Sequence, residues 1–330
     1  VVAAIQFKRV REKINPTHAL RFLEKEALSF LDDLDDEIKR ITNIVWLKNQ
    51  EKSSVEIQLL ISKNILLREW ACLNRQIENL VEISIRAASN HESETVDSGM
   101  KAVGNILINF LALKRECSVV LPSALAPLAL ESDRQDFIGS ILDHINRAGE
   151  HLIQNKQTQN AVAILSVYKA IAAVAKDTKF LNSSYKNPIF GQVIGYLCMY
   201  IDSAMRHGDV EIVYQALFVL DNLAMSISKK METTSYHQIE KKIVDIAAYG
   251  IQNKKSFIVN QCNDSLLNIL TKAVQKEMRD LEIASILKKI QSIVVASHAA
   301  KLAGLLDDDF NIDYGLNITF SRLTNIIGLL

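Results

Sequence analysis

The chain of 330 residues has little of what interrupts a helix. It holds 4 prolines and 11 glycines, together less than half the share of about 12% that average usage would give. A collagen-like chain, a low-complexity linker and a turn-rich β-sandwich or barrel are excluded on that ground, since each needs those residues throughout. The prolines are Pro16, Pro122, Pro127 and Pro188, so the stretches 17–121 and 189–330 contain none. Cysteine is sparse as well: Cys72, Cys117, Cys198 and Cys262 form no CxxC pair. A disulfide scaffold needs denser cysteines and a zinc site needs close pairs, so the thiols read as reduced and buried, which suits a cytoplasmic location. Net charge is absent, with 38 basic and 38 acidic side chains. Nucleic acid is therefore not an expected partner, because phosphate neutralisation by a basic excess supplies most of that affinity. Long apolar runs are missing too. The longest uncharged stretch, Asn187–Ile201, contains Pro188 and Gln192 and falls short of the roughly 18–20 apolar residues of a membrane span.

What the chain does have is 48% hydrophobic residues, enough to bury a sizeable core and to exclude disorder. Apolar residues recur at spacings of three and four, and strand-like alternation is absent. That is the helical period, and it predicts an all-α fold. Ser53 with Glu56, Ser132 with Gln135, and Ser235 with Gln238 have the spacing of capping boxes and predict helix starts. Gly208-Asp209 joins a left-handed stop to an N-cap and predicts a tight turn between antiparallel helices.

The most informative feature is an internal repeat. With Asn90, Asn155, His207 and Asn253 as turn anchors, ten positions earlier stand Leu80, Ile145, Leu197 and Ile243, and seven earlier Ile83, Ala148, Tyr200 and Ile246. Three earlier stand Ala87, Leu152, Ala204 and Gly250, small except for Leu152, which would let paired helices approach closely near the turn. Six positions later come Val96, Ala161, Val213 and Val259, and thirteen later Val103, Tyr168, Leu220 and Leu266. Sixteen later come Ile106, Ile171, Leu223 and Ile269, and twenty later Phe110, Ala175, Ile227 and Ala273. Each unit is thus an amphipathic helix, a short polar turn and a second amphipathic helix. A lone hairpin cannot bury both apolar stripes, so neighbours must stack. The segment 116–133, which holds two of the prolines, reads as an inserted loop with a short helix. A fifth unit fits halfway: Leu287, Ile290 and Val294 continue a stripe, but LDDDFNID at 306–313 interrupts its partner, as in an atypical capping repeat.

On these residues the chain resembles the αα-hairpin repeat proteins, the HEAT, armadillo and TPR class, over roughly 77–300. The TPR Trp/Gly/Tyr pattern and the ankyrin TPLH signature are absent. The resemblance implies stacked antiparallel hairpins, α-solenoid-like or as a right-angled helical array. It also implies an extended surface on which one set of helices supplies specificity. A closed antiparallel bundle would give similar registers.

Residues 1–76 differ. Leu20, Leu23, Ala27, Phe30, Leu34, Ile38, Ile41 and Val45 form a stripe near heptad spacing, and nothing breaks a helix from Ser53 to about Ser89. These long helices predict either internal packing or a self-association surface. The opening VVAAIQF is followed by Lys8, Arg9, Arg11 and Lys13. That is the pattern of the cytoplasmic flank of a membrane helix, and equally of an ordinary helix start, so a membrane segment upstream of Val1 stays open. The expected organisation is an N-terminal long-helix segment 1–76, a repeat region 77–300 and a capping segment 301–330.

Sites of chemistry are few. Asp32, Asp33 and Asp36 match DDxxD, the aspartate-rich motif of all-helical prenyl-diphosphate synthases and terpene cyclases; by that resemblance they would hold Mg²⁺ against a diphosphate. Against it, the motif lies early, DNLAMS at 221–226 lacks the Glu of a second motif, and Asp307-Asp308-Asp309 is followed by Asn311 where another Asp is needed. Aromatics are only 6%, few for shielding a carbocation. His144 and His151 lie seven apart on one predicted helix, about 10.5 Å of rise, too far for one ion. GxGxxG, GxxxxGK[ST] and GxSxG are absent. Lys229-Lys230, Lys241-Lys242, Lys254-Lys255 and Lys288-Lys289 form either a solvated face or a basic ridge for anionic partners or lipid headgroups. The sequence therefore predicts no catalytic, cofactor-binding or metal residue. It predicts a non-enzymatic scaffold or regulatory module with a protein partner, with the isoprenoid-diphosphate enzyme as the alternative.

Overall fold

The structure, a computed structural model, describes residues 20–29, 31–32, 73–112, 126–175, 187–226, 233–275, 280–306 and 321. Among these the chain is helical with short turns and no strand, as the period predicts. Residues 20–29 form α1 and 73–89 form α2. There follow α3 (Ser93–Ala112), α4 (Ala126–Gln154), α5 (Thr158–Ala175), α6 (Asn187–Arg206), α7 (Val210–Ser226), α8 (Thr233–Gln252), α9 (Ser256–Gln275) and α10 (Asp280–Leu302).

One backbone device makes the hairpins α2–α3, α4–α5, α6–α7 and α8–α9. Each turn has three residues, and the four anchors are the first of each. The second residue is left-handed: His91 (φ 61°), Lys156 (57°), Gly208 (73°) and Lys254 (57°). The third donates its amide back across the helix end, Glu92 to Ala87, Gln157 to Leu152 and Asp209 to Ala204 at 2.9 Å, and Lys255 to Gly250 at 2.7 Å. The second donates to the carbonyl two before the anchor, as Lys156 to Ile153 at 2.9 Å. This is the Schellman arrangement. The anchor side chains complete it. Asn155 and Asn253 donate from Nδ2 to the carbonyls of His151 and Tyr249 at 2.9 Å, and His207 Nδ1 stands 2.8 Å from the Ser203 carbonyl. At Asn155, His207 and Asn253 the side chain thus gives a second donor to the carbonyl four residues back, which already accepts from the anchor's own amide. Asp209 Oδ1 then accepts from Ile212 N at 3.2 Å and starts α7. A fifth turn of the same build follows α10, with Gly304 at φ 66° and Leu305 donating to Ala300 at 2.9 Å.

Burial keeps one register. Counted from the anchors, offsets +5, +6, +9, +10, +12, +13, +16 and +17 are buried in α3, α5, α7 and α9 alike, while +4, +8, +11 and +15 reach solvent in all four. The second helix of each hairpin is thus enclosed around most of its circumference and shows one outward strip. The expected small residues act as foreseen at Gly250, where a Cβ would lie 3.0 Å from Val259 Cγ2 and 3.1 Å from Ile258 Cγ2.

The chain divides into two units, Val1–Ile171 and Ala172–Leu330. In the second, α6 packs on α8 and α8 on α10, while α7 packs on α9. First helices form one layer and second helices another, with each hairpin closed across the two. In the first unit, Gly99 of α3 sits against Ser84 of α2 and Leu20 of α1, and Gly104 against Ala170 of α5. Leu20, Leu23 and Ala27 of the N-terminal stripe are buried there, joined by Leu31, and Asn105 Nδ2 donates to Glu24 at 3.1 Å. Phe30 has no described side chain, and residues 33–72, with the rest of the stripe and the Ser53 capping box, lie outside the described residues, as do 1–19.

Three expectations are corrected. The loop foreseen at 116–133 ends by residue 126, because α4 runs unbroken from Ala126; Pro127 falls in its first turn, where a missing amide costs nothing. Ser132-Gln135 consequently lies inside α4, and Ser235 sits two residues past the start of α8. On α10 the buried stripe is Ile283, Ile286, Ile290, Ile293 and Ala300; Leu287 and Val294 are only half-buried, displaced to the flank of the stripe. Finally, Ile83 is half-buried whereas the other three residues at its offset are buried, and Ser84 takes the interior place beside it.

Candidate interaction surface

Polar side chains tie successive hairpins together within each layer of the second unit. In the first-helix layer Lys242 of α8 reaches Asp202 of α6 at 2.6 Å and Asp245 at 3.6 Å. Burial alone would lower the Lys242 pKa, but the hydrogen bond and charge of Asp202 outweigh it and the pKa is raised. Lys289 of α10 pairs with Glu240 of α8, which is 2% exposed, and bonds Ser285 at 2.9 Å. In the second-helix layer Asn268 Nδ2 of α9 donates to Asp221 of α7 at 3.1 Å.

These pairs decide what the lysine doublets do. Lys242 and Lys289 are engaged between helices, while Lys241 and Lys288 are exposed on the first-helix layer. Lys254 and Lys255 lie in the turn, and Lys229-Lys230 lies outside the described residues. Of the aspartate run only Asp32 is described, and it is exposed; Asp33 and Asp36 lie outside. His144 and His151 both sit on α4; His151 Nε2 is 3.1 Å from Asn155 Nδ2, and His144 is half-buried. Among the described residues no group of three or more His, Cys, Asp or Glu could hold a metal ion, and no helix is long and apolar enough to cross a membrane. Cys198 and Cys262 are buried free thiols; desolvation pushes Cys198 up to about 12 and Cys262 well above its usual value.

The outward strip of α7 and α9 has a different character. On α7 it comprises Glu211, Tyr214, Gln215, Phe218 and Asn222, and on α9 Phe257, Asn260, Gln261, Asp264 and Asn268. Glu211 is exposed and the others are half-buried. Tyr214 meets Phe218 edge-on, with ring centroids 5.1 Å apart at 84°, and Phe257 of the next hairpin at 5.1 Å and 79°. Glu211 Oε1 accepts from Gln215 Nε2 at 3.0 Å. The two helices carry one basic side chain, Lys272 in the last turn of α9. Sequence reasoning missed this surface because its three rings come from two hairpins and sit off the buried stripe. The signal was there in the register, since Tyr214, Phe218 and Phe257 stand at offsets +7, +11 and +4, away from every buried position.

No family model matches the chain, and no curated protein matches it. Among solved structures it is similar, over 93% of its length and 67% of the other chain, to a circular tandem repeat protein with novel repeat topology and enhanced subunit contact surfaces, at a TM-score of 0.56 and 13% identity. At that identity the likeness speaks for the fold alone. It agrees with a tandem array of helical hairpins.

Proposed function

We propose that the chain is a non-enzymatic interaction scaffold that docks a partner protein on the outward strip of its second-helix layer. The observation that supports this is the half-buried trio Tyr214, Phe218 and Phe257, set among Gln215, Asn222, Asn260, Gln261 and Asn268. Aromatic rings supply large contact area at small entropic cost, and tyrosine is enriched among residues that dominate interfaces. Side-chain amides both donate and accept, and so can satisfy the main chain of an extended segment. The enclosed remainder of α7 and α9 holds this strip rigid, so little ordering cost falls on the scaffold.

The test is selection of displayed peptides on the purified full chain, followed by binding to variants. Selected peptides should lose affinity on Tyr214→Ala and Phe257→Ala and keep it on Met199→Ser, which alters an exposed side chain of the first-helix layer (59% exposed). Peptides indifferent to Tyr214 and Phe257 would remove this face from the reading.

A further inference from the structure

Among the described residues α10 is a first helix without a second one, and one of its faces is open. Its buried stripe, from Ile283 to Ala300, packs against α8 and α9. In α8 the residue three before the anchor, Gly250, meets Ile258 and Val259 of its own second helix, and the residue seven before lies one turn away on the same face. At that offset Ala148, Tyr200 and Ile246 are buried and Ile83 is half-buried, whereas Ala296, seven before the turn residue Ala303, is exposed. Ala299 is likewise exposed where Ser203 and Tyr249 are buried. Val295 and Leu302 flank these alanines at 61% and 77% exposure, and Leu305 of the turn is also exposed. From Ile290 to Leu302 the helix carries one lysine, Lys301, and no carboxylate. An exposed apolar patch of this kind marks an interaction site.

The chain itself points to the occupant. The turn after α10 is built as the hairpin turns are, with Ala303 N donating to the Ala299 carbonyl at 3.0 Å, Gly304 N to Lys301 at 2.9 Å and Leu305 N to Ala300 at 2.9 Å. After each of the four hairpin turns a helix returns along the first one. Leu306 has already folded back, buried with Ala300 against Ile251 and Val294. Next in sequence come 307–313, with four aspartates, and then 314–330, where Arg322 is the one charged residue. In that segment Leu316, Phe320, Leu323, Ile327 and Leu330 recur at spacings of four and three, the helical period. Ser321, its one described residue, is helical and exposed, and stands off this stripe. Ala296 lies one turn, about 6 Å of rise, from Ala300, and the seven residues 307–313 can span up to about 23 Å, so the connection is long enough. We propose that the open face of α10 is the docking surface for segment 314–330 of the same chain, which lays its apolar stripe over Ala296, Ala299 and Leu302. This goes beyond the scaffold reading and does not rest on it.

The experiment pairs Ala296→Cys in the full chain with Phe320→Cys, Leu323→Cys or Ile327→Cys in turn, and with Ser321→Cys as the control. Each is oxidised at low protein concentration, and the linked peptides are identified by mass spectrometry. At least one stripe position should close a disulfide within a single chain, and Ser321→Cys should not. A second measurement follows tryptic cleavage after Arg322. Docking should slow it in the parent, because local opening must precede cleavage. Ala296→Asp should speed it several-fold, and Met199→Asp, at an exposed site of α6, should leave it unchanged. Circular dichroism establishes that each variant is folded. The proposal is overturned if no stripe position closes within the chain, if the bonds join two chains and so make a second copy the occupant, or if Ala296→Asp leaves cleavage at Arg322 unchanged. Each of those results would leave the aromatic strip of α7 and α9 standing, just as peptides that ignore Tyr214 and Phe257 would leave this surface.

Discussion

At offset +10 from the turn anchor the first three hairpins bury Met100, Leu165 and Leu217, whereas the fourth buries Asn263, 2% exposed. Its Oδ1 is sealed from solvent with no hydrogen-bond partner. An orphaned buried acceptor costs about 1–3 kcal/mol. Leucine keeps the branching and heavy-atom count of asparagine, and side chains of its bulk or larger already fill the equivalent sites as Met100, Leu165 and Leu217, so Asn263→Leu adds favourable apolar burial. The substitution should stabilise by about 2 kcal/mol, and a unit of this size gains roughly 2–4 °C of Tm per kcal/mol. A melt followed by calorimetry should therefore rise by roughly 4–8 °C. The converse, Leu217→Asn, places a new orphan amide at the equivalent position and should cost about 3 kcal/mol. If Asn263→Leu melts at or below the parent, the register that equates the four hairpins is not what sets the interior of α9.

Gly99→Ala should destabilise, because its Cβ would lie 2.0 Å from Ser84 Oγ, and the hydroxyl can yield only by leaving the Leu80 carbonyl 2.9 Å away; in a Ser84→Ala background the same change should be neutral or stabilising, since alanine favours helix by about 1 kcal/mol, and denaturant melts of the cycle will show it. Lys156→Gly and Lys254→Gly should each stabilise by about 0.5–1 kcal/mol, relieving a left-handed residue at φ 57°, whereas Gly208→Ala should lower the melting temperature. Lys289→Met should cost about 3 kcal/mol by leaving Glu240, which is 2% exposed, with the His237 ring 3.5 Å away in place of an ammonium, and Glu240→Leu should recover most of that loss in the double variant. Between pH 9.0 and about 12 the Cys198 thiol stays protonated in the folded chain while the unfolded one ionises. Stability should consequently fall as pH rises through that window, Cys198 contributing about 1.4 kcal/mol per pH unit and buried Cys262 adding a slope of the same sign, and Cys198→Ala should remove its own share of that slope in urea titrations.

The turns were the most legible part of the chain, because they are local. An asparagine or histidine followed by a basic residue or glycine announces a left-handed C-cap through chemistry contained in three residues, as at Asn253-Lys254-Lys255. The stripes at ten and three positions before the anchor and six, thirteen and sixteen after it follow from the helical period once the turn is fixed, and every described residue at those offsets is buried. What was not legible depends on two helices meeting. Lys242 and Lys241 are identical in sequence context, yet one is drawn in by Asp202 of the previous hairpin and the other stays in solvent. Leu287 and Val294 misled for the same reason, since which of two adjacent stripes faces inward on α10 is decided by where α8 and α9 lie, not by α10. The candidate surface belongs to this class. Tyr214 and Phe257 are separated by a hairpin connection in sequence and by 5.1 Å in space. A repeat carries its stacking rule in every copy, so the rule can be read from one chain. A surface made between copies needs the stacking distance first, and only then do its rings, amides and carboxylates become neighbours whose joint chemistry can be argued.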